Sequence, residues 1–326
     1  MNLDLEILKA LRAPDRDWVS GSDLSRTLGV TRAAIWGRIQ ELRAVGYEIE
    51  ASPHQGYRLT AAPDALHADD LMARLPEVRV IGRDIRVFKE TASTNDTIEK
   101  LARDGVGEGV VVFAESQSRG RGRLGRSWSS PPGKGLWFSV LLRPSLRPLE
   151  TTRLTVAAAT AIRRAIRTST GLETDIKWPN DLLIKGRKVA GILTELSAET
   201  DRVRYVVLGV GIDVNQTASD FTGELSKVAG SLRLAGGQRV DRAALAAEVL
   251  RELDRDYFRV CNGQFQAVAE EWESGCSTLG RTVRIRIGGR QVVGRAESLD
   301  PDGALLVRTE HGHLECITGG DLTLEK

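Results

Sequence analysis

The chain is poor in cysteine: Cys261, Cys276 and Cys316 are its only three, widely spaced and without a C-x-x-C pair. That argues against a disulfide framework and against a cysteine zinc site. No apolar run approaches the roughly 20 residues a membrane span needs. The start, MNLDLEILKALRAPD, is amphipathic and contains acids, unlike a basic–apolar secretory signal, so a reducing cytoplasm is the expected location and no membrane partner is expected. One-sided charge is missing too. Lys and Arg total 46 against 44 Asp and Glu, a net +2, so the whole chain is not a polycation and any nucleic-acid surface must be local. Repeats and low-complexity blocks are absent. What is present is ordinary for a soluble globular protein, 41% hydrophobic and 28% charged residues, in a length of 326 that allows two or three domains.

Residues 1–62 read as a separate module. A first helix carries Leu5, Leu8 and Leu11 on one face. Ser22 is placed to cap a second helix holding Leu24 and Leu28, with Gly29 as its left-handed stop. Thr31 caps a third helix from Arg32 to about Val45, whose Ile35, Ile39 and Leu42 repeat at helical spacing, and Gly46 ends it. Tyr47–Ile49 and Tyr57–Leu59, joined by a Pro/Gly turn, read as a hairpin. The sum is a winged helix-turn-helix. In such a module the third helix enters the major groove. Ala33, Trp36, Gly37 and Gln40 would then face the bases, with Arg32, Arg38 and Arg43 on phosphates.

Residues 63–277 mix strands and helices without strict βαβ order. Strands are expected at 83–89, 110–115, 136–142, 175–178, 189–196 and 204–212, with helices at 94–103, 150–170, 241–260 and 265–272. The result is an α+β fold on a mixed sheet. From 278 to 326, short strands with Gly-containing turns suggest a small SH3-like barrel.

Chemistry concentrates in Ser118-Arg-Gly-Arg-Gly-Arg-Leu-Gly-Arg126. Glycine lets backbone N–H groups approach an anion, and arginine supplies paired donors for phosphate or carboxylate. A solvated or RNA-binding basic loop has the same composition. Gly120-x-Gly122-x-x-Gly125 also matches the dinucleotide fingerprint, but Ser127-Trp-Ser-Ser-Pro-Pro-Gly133 cannot be the helix that the fingerprint requires. Nor is the loop a Walker A sequence, since no G-K-[ST] closes it. In Lys177-Trp-Pro-Asn-Asp181 the proline fixes a turn, so Asn180 and Asp181 could meet ribose, phosphate or magnesium. Lys188 opens the next strand; alone it would be a solvated charge. Thr91-Ala-Ser-Thr-Asn95 is either a plain helix cap or a site for a small polar headgroup.

In order and spacing, Ser93-Thr94-Asn95, Gln117, Gly120–Arg126 with Trp128, Lys177–Asp181, Arg187–Ile192 and Gly209-Val-Gly-Ile212 resemble the biotin–protein ligase family. Leu28–Ile35 and the Gly56-Tyr57 wing resemble its repressor-type members. The resemblance spans nearly the whole chain and implies a catalytic domain like that of class II aminoacyl-tRNA synthetases. It implies biotin contacts at Ser93, Thr94, Asn95, Gln117, Arg121, Gly122, Arg123 and Lys188. ATP contacts are implied at Arg123, Arg126, Asn180, Lys188 and Asp213, with Mg²⁺ on the phosphates. The family usually carries Asn where this chain has Asp213, and Ala229 stands where some relatives stack an aromatic ring.

The expected reaction forms biotinyl-5′-AMP and transfers biotin to a lysine of a biotin carboxyl carrier protein, with Lys188, Arg123 and Asp181 as catalytic residues. Operator DNA and ligand-induced homodimerisation are implied by the same resemblance. Two other readings compete: a metabolite-sensing transcription factor without catalysis, and a lipoyl or other acyl–protein ligase on the same fold.

Overall fold

The computed structural model describes residues 2–15, 17–75 and 77–324; the outermost expected bounds, residues 1 and 326, lie outside them. The first unit packs α1 (Leu3–Leu11), α2 (Gly21–Leu28) and α3 (Arg32–Ala44) with the hairpin β1 (Glu48–Ser52) and β2 (Gly56–Ala61). Its core joins Ile7, Leu8, Leu24, Ile35, Ile39 and Leu42 to Tyr47 and Ile49. Gly29 takes φ 67° and Thr31 accepts Ala34 N–H, as expected of stop and cap. The cap of α2 is a correction: Ser20, not Ser22, accepts the Asp23 N–H, and Ser22 only hydrogen-bonds Ser20. Leu5 is half-buried, and Ile7 fills the core position beside Leu8.

Helix α4 (Ala68–Arg74), which the sequence reading does not anticipate, ties this unit to the next. Buried Asp70 accepts from Arg12 Nε at 2.8 Å and from Arg74 Nε at 2.9 Å, so one carboxylate bridges α1 and α4.

The central unit runs β3 (Asp84–Thr91), α5 (Thr94–Arg103), β4 (Val110–Gln117), β5 (Gly135–Leu142), α6 (Thr152–Thr170), β6 (Asp175–Lys177), β7 (Asp181–Ile184), β8 (Arg187–Ala198) and β9 (Val203–Asp213). After these come α7 (Leu225–Val228), α8 (Leu232–Gly236), α9 (Arg242–Cys261) and α10 (Phe265–Gly275). The seven strands order β3-β4-β5-β9-β8-β7-β6, with β3–β4 parallel and the other pairs antiparallel. This is the mixed sheet expected.

Period-two alternation sorts the strands between two layers. On β4, Val111 and Phe113 join the large core with α6, α9 and α10, while Val110 and Val112 meet Ile98 and Ala102 of α5 on the opposite face. Strands β10 (Thr282–Ile287), β11 (Arg290–Leu299), β12 (Leu305–Thr309), β13 (Leu314–Ile317) and β14 (Asp321–Leu324) form a C-terminal antiparallel sheet in the order β13-β12-β11-β10-β14. Among the described residues no helix is long and apolar enough to cross a membrane.

Candidate functional site

On the α5 face of the central sheet the side chains run out. The register aligns Ser139 with Gly209 and Trp137 with Gly211 across β5–β9, and Gly191 with Gly211 and Leu193 with Gly209 across β8–β9. These positions share the α5 face, because Leu141 and Val207, paired in the same register, pack on α5. Three glycines here leave a trough that α5 does not cover.

Their smallness is required. A Cβ on Gly209 would overlap the Asn95 amide oxygen. One on Gly211 would lie 2.6 Å from Trp128 Cε2, and one on Gly191 2.9 Å from Trp128 Cζ3. Trp128 thus lies over the glycines, edge-on to Trp137 at 6.3 Å between ring centroids. The cleft is about 440 Å³, within the range for a small-molecule site.

One end is neutral and polar. Ser93, Thr94 and Asn95, at the start of α5, are buried. The Thr94 N–H donates to Gln117 Oε1 at 2.9 Å, and Gln117 Nε2 donates to Ser130 Oγ at 2.9 Å. Ser139 Oγ lies 2.7 Å from Thr94 Oγ1 and 2.5 Å from Asn95 Oδ1. Ser139 was missed from sequence; its one visible sign is a hydroxyl inside the apolar run Leu136–Leu142.

The other end is cationic. A β-bulge decides where Lys188 points. Asp181 faces Gly191, and Leu183 faces Lys188, with Val189 looped out between Lys188 and Ala190. Lys188 therefore lies on the same face as Gly191 and Leu193 despite the odd spacing. Its Nζ sits 2.6 Å from Asp181 Oδ1 and 5.1 Å from the Trp128 ring centroid. Arg123 is half-buried, its nearest polar partner the Asn180 Oδ1 at 3.4 Å. Burial lowers its pKa from the ordinary arginine value, the carboxylates of Asp181 and Asp321 opposing this. Asn180 is fixed by its Nδ2 donating to the Ile192 carbonyl at 2.7 Å.

The arginine–glycine segment is a folded loop. Trp128 N–H donates to the Gly120 carbonyl at 2.9 Å and Gly122 N–H to the Arg126 carbonyl at 2.7 Å, with Leu124 left-handed at φ 57°. The three arginines after Arg119 differ in employment. Arg121 is held by Glu195 and Asp96, and Arg126 pairs with Asp321 of β14 at 2.7 Å near the surface. Arg123 has no carboxylate partner among the described residues. All the expected biotin and ATP residues line this one cleft, together with Trp128, Leu193 and Ala229.

Asp213 ends β9 inside the cleft. Burial pushes its carboxyl well above the usual carboxylate range, while Lys188 and the Gln216 amide hydrogen bond pull it down.

On α3, Trp36 is 59% exposed, and Arg32 and Ala33 are exposed. Arg38 and Arg43, expected on phosphates, have other employment. Arg38 pairs with Asp4 and Glu41, and Arg43 donates to the Ile49 carbonyl at 2.9 Å.

Three family models match in chain order: an HTH domain over residues 4–58, the biotin/lipoate A/B protein ligase family over 87–213, and a biotin protein ligase C-terminal domain over 278–323. The chain is 38% identical to the bifunctional ligase/repressor BirA of Bacillus subtilis strain 168 over 98% of both chains. It is 31% identical to BirA of Escherichia coli K12 over 94% of this chain and 92% of that one. The structure of Aquifex aeolicus biotin protein ligase with biotin and ATP matches at a TM-score of 0.64 and 30% identity, covering 75% of this chain and 99% of that one. A trough that offers polar groups at one end and cations at the other suits an acid-activating enzyme, and by these likenesses the chain belongs to the biotin–protein ligase family, in its bifunctional ligase/repressor type.

Two outcomes follow from the geometry. Gly211→Ala must displace Trp128, so ligand affinity should fall more than about tenfold, a loss of about 1.4 kcal/mol, with altered tryptophan fluorescence in the free protein; unchanged affinity and spectrum would mean the glycines do not shape the trough. For Asp213, the folded chain retains a proton that the unfolded chain releases near pH 3.9. Stability from this group is full below that pH and declines as pH rises towards the folded-state value. Asp213→Asn should therefore gain in urea midpoint over the parent as pH rises from about 4 to 8, whereas a difference independent of pH would contradict the burial.

Proposed function

We propose that this chain joins biotin to ATP in the cleft, passes biotin from biotinyl-5′-AMP to a lysine of a biotin carboxyl carrier protein, and represses transcription through its N-terminal module. The observation that carries the reading is the convergence of Ser93–Asn95, Arg123 and Lys188 on one trough. The working units are residues 1–62 for DNA, 63–277 for catalysis and 278–326 as a C-terminal domain.

Ser93, Thr94, Asn95 and Gln117 would take the polar ring of biotin, and Trp128 and the glycines its apolar tail. Gly122, Arg123 and Lys188 would meet the carboxylate, and Arg121, held by Glu195 and Asp96, would stand nearer the headgroup end. Arg123, Arg126, Asn180, Lys188 and Asp213 would line the nucleotide. Biotin's carboxylate is already ionised at neutral pH, since such acids titrate near about 4–5, so the first step needs no general base. Its obstacle is the repulsion between that anion and the polyphosphate, which fixed cations relieve. A carboxylate oxygen attacks the α-phosphorus, the bond to the bridging oxygen breaks, and pyrophosphate leaves. Magnesium enters with ATP. It would be held mainly by the phosphates.

The Lys188–Asp181 pair gives the second step its base. When Lys188 turns to the anionic ligand, the Asp181 carboxylate is left without its cation. It can then accept the proton of the incoming lysine ammonium, whose nitrogen attacks the anhydride carbonyl carbon and expels AMP. On the DNA side, Arg32, Ala33, Trp36, Gly37 and Gln40 would face operator DNA. Arg38 would hold α3 against α1 rather than reach a phosphate. Ligand-bound chains would pair as homodimers to span two half-sites.

Incubation with ATP, biotin and a carrier domain, read by avidin blot with lipoate as competitor, tests the reading. Labelling of one carrier lysine, insensitive to lipoate and abolished in Lys188→Met, is expected. Labelling blocked by lipoate points to the other acyl substrate, and DNA binding without labelling to a non-catalytic sensor. Arg123→Gly should release biotinyl-AMP and label bystander lysines; full retention of the intermediate would mean that Arg123 does not hold it in the cleft.

A further inference from the structure

Beyond Leu193, the next residue on the trough face of β8 is Glu195, opposite Val207 of β9. Its carboxylate has two partners that come from different parts of the site. Arg121 approaches with both edges of its fork, Nε at 3.1 Å from Oε1 and Nη2 at 2.9 Å from Oε2. Asn95 donates from Nδ2 to Oε2 at 2.6 Å. Arg121 lies at the root of the arginine–glycine loop, where it also bridges to Ser127 across the loop's base. Asn95 lies in the first turn of α5, its Oδ1 against Ser139. A shared acceptor of this kind does more than an isolated exposed ion pair. It sets the amide of Asn95 in one of its two orientations, N towards Glu195 and O towards Ser139, and it fixes the guanidinium plane by a bidentate contact.

The structure assigns Glu195 as a positioning residue that locks the root of the arginine–glycine loop to the headgroup end of the cleft, so that loop closure and the orientation of the Asn95 amide are set by one carboxylate. This rests on the ligase reading for its consequence and not for its geometry. The segment the loop carries past that root, with Arg123 at the cationic end, is then held closed from the opposite end of the trough. Removing the Glu195 charge frees the loop root and lets the Asn95 amide turn over, while the residues around Lys188 are left alone. Asp96 serves as the control. It touches Arg121 but makes no hydrogen bond to Asn95 among the described residues, so its loss loosens the loop without disturbing the amide.

The test compares Glu195→Gln, Asp96→Asn and the parent, each as the full chain. Limited trypsin digestion follows cleavage between Arg119 and Arg126, and steady-state kinetics give KM for biotin and for ATP separately. In Glu195→Gln, cleavage of the free protein should quicken at least fivefold and KM for biotin should rise about tenfold, with a clearly smaller rise in KM for ATP through the loosened Arg123 and Arg126. In Asp96→Asn, cleavage should quicken with a smaller rise in KM for biotin. Arg121→Lys, which keeps charge and loses the fork, should reproduce the faster cleavage, and combined with Glu195→Gln should add little to it. Unchanged cleavage in Glu195→Gln, or equal rises in both KM values, overturns the assignment. The digestion requires no turnover, so faster cleavage in a chain that fails to use biotin would refute the ligase reading while sustaining the lock.

Discussion

The site depends on side chains that are not there. Gly191, Gly209 and Gly211 strip one face of β8 and β9, in a sheet whose other positions on that face are filled by Val207, Leu141 and the residues of α5. The trough is therefore built by the strands themselves, where a ladder of backbone hydrogen bonds fixes each position. Asn95, Trp128 and Lys188 are set against bare backbone, and a methyl at Gly209 or Gly211 would collide with one of them. Rigid walls of this kind hold reacting groups in place without reorganisation when charge develops.

Charge is then arranged by subtraction. The loop from Arg119 to Arg126 is rich in arginine, yet Arg121 and Arg126 are already neutralised by Glu195 with Asp96 and by Asp321. Their work is to hold the loop, at one end to the central sheet and at the other to the C-terminal sheet. What remains for an incoming anion is Arg123 and Lys177, each half-buried, lining the cleft and without a carboxylate partner among the described residues, and Lys188, held by a single aspartate. A cation shielded from water is worth more to a phosphate than one in solvent. In the proposed reaction the pairing of Lys188 with Asp181 would link the two chemical steps, the ion pair opening to receive the anion and leaving the carboxylate free.

Much of this was legible in the sequence where the signal is local. Thr31, Gly29 and Gly46 act at the ends of their helices through their own backbone, and the apolar spacing of Ile35, Ile39 and Leu42 reports the face they bury. The ordered motifs likewise bring every expected ligand residue to one cleft. Signals between distant residues were not legible. Nothing near Arg121 or Arg38 says that Glu195 or Asp4 will claim them, because those carboxylates arrive through tertiary packing. Strand periodicity sets Lys188 on the wrong face unless the bulge at Val189 is known. Ser20 takes the cap expected of Ser22 because two neighbouring hydroxyls compete and only backbone geometry separates them.

In the proposed reaction two mutually repelling anions are brought together and joined in this trough before any protein acceptor arrives. Exchange of labelled pyrophosphate into ATP measures that step alone. The expected exchange requires biotin, proceeds without carrier protein and is lost in Lys188→Met. Exchange that is indifferent to biotin, or none at saturating biotin and MgATP, would contradict it.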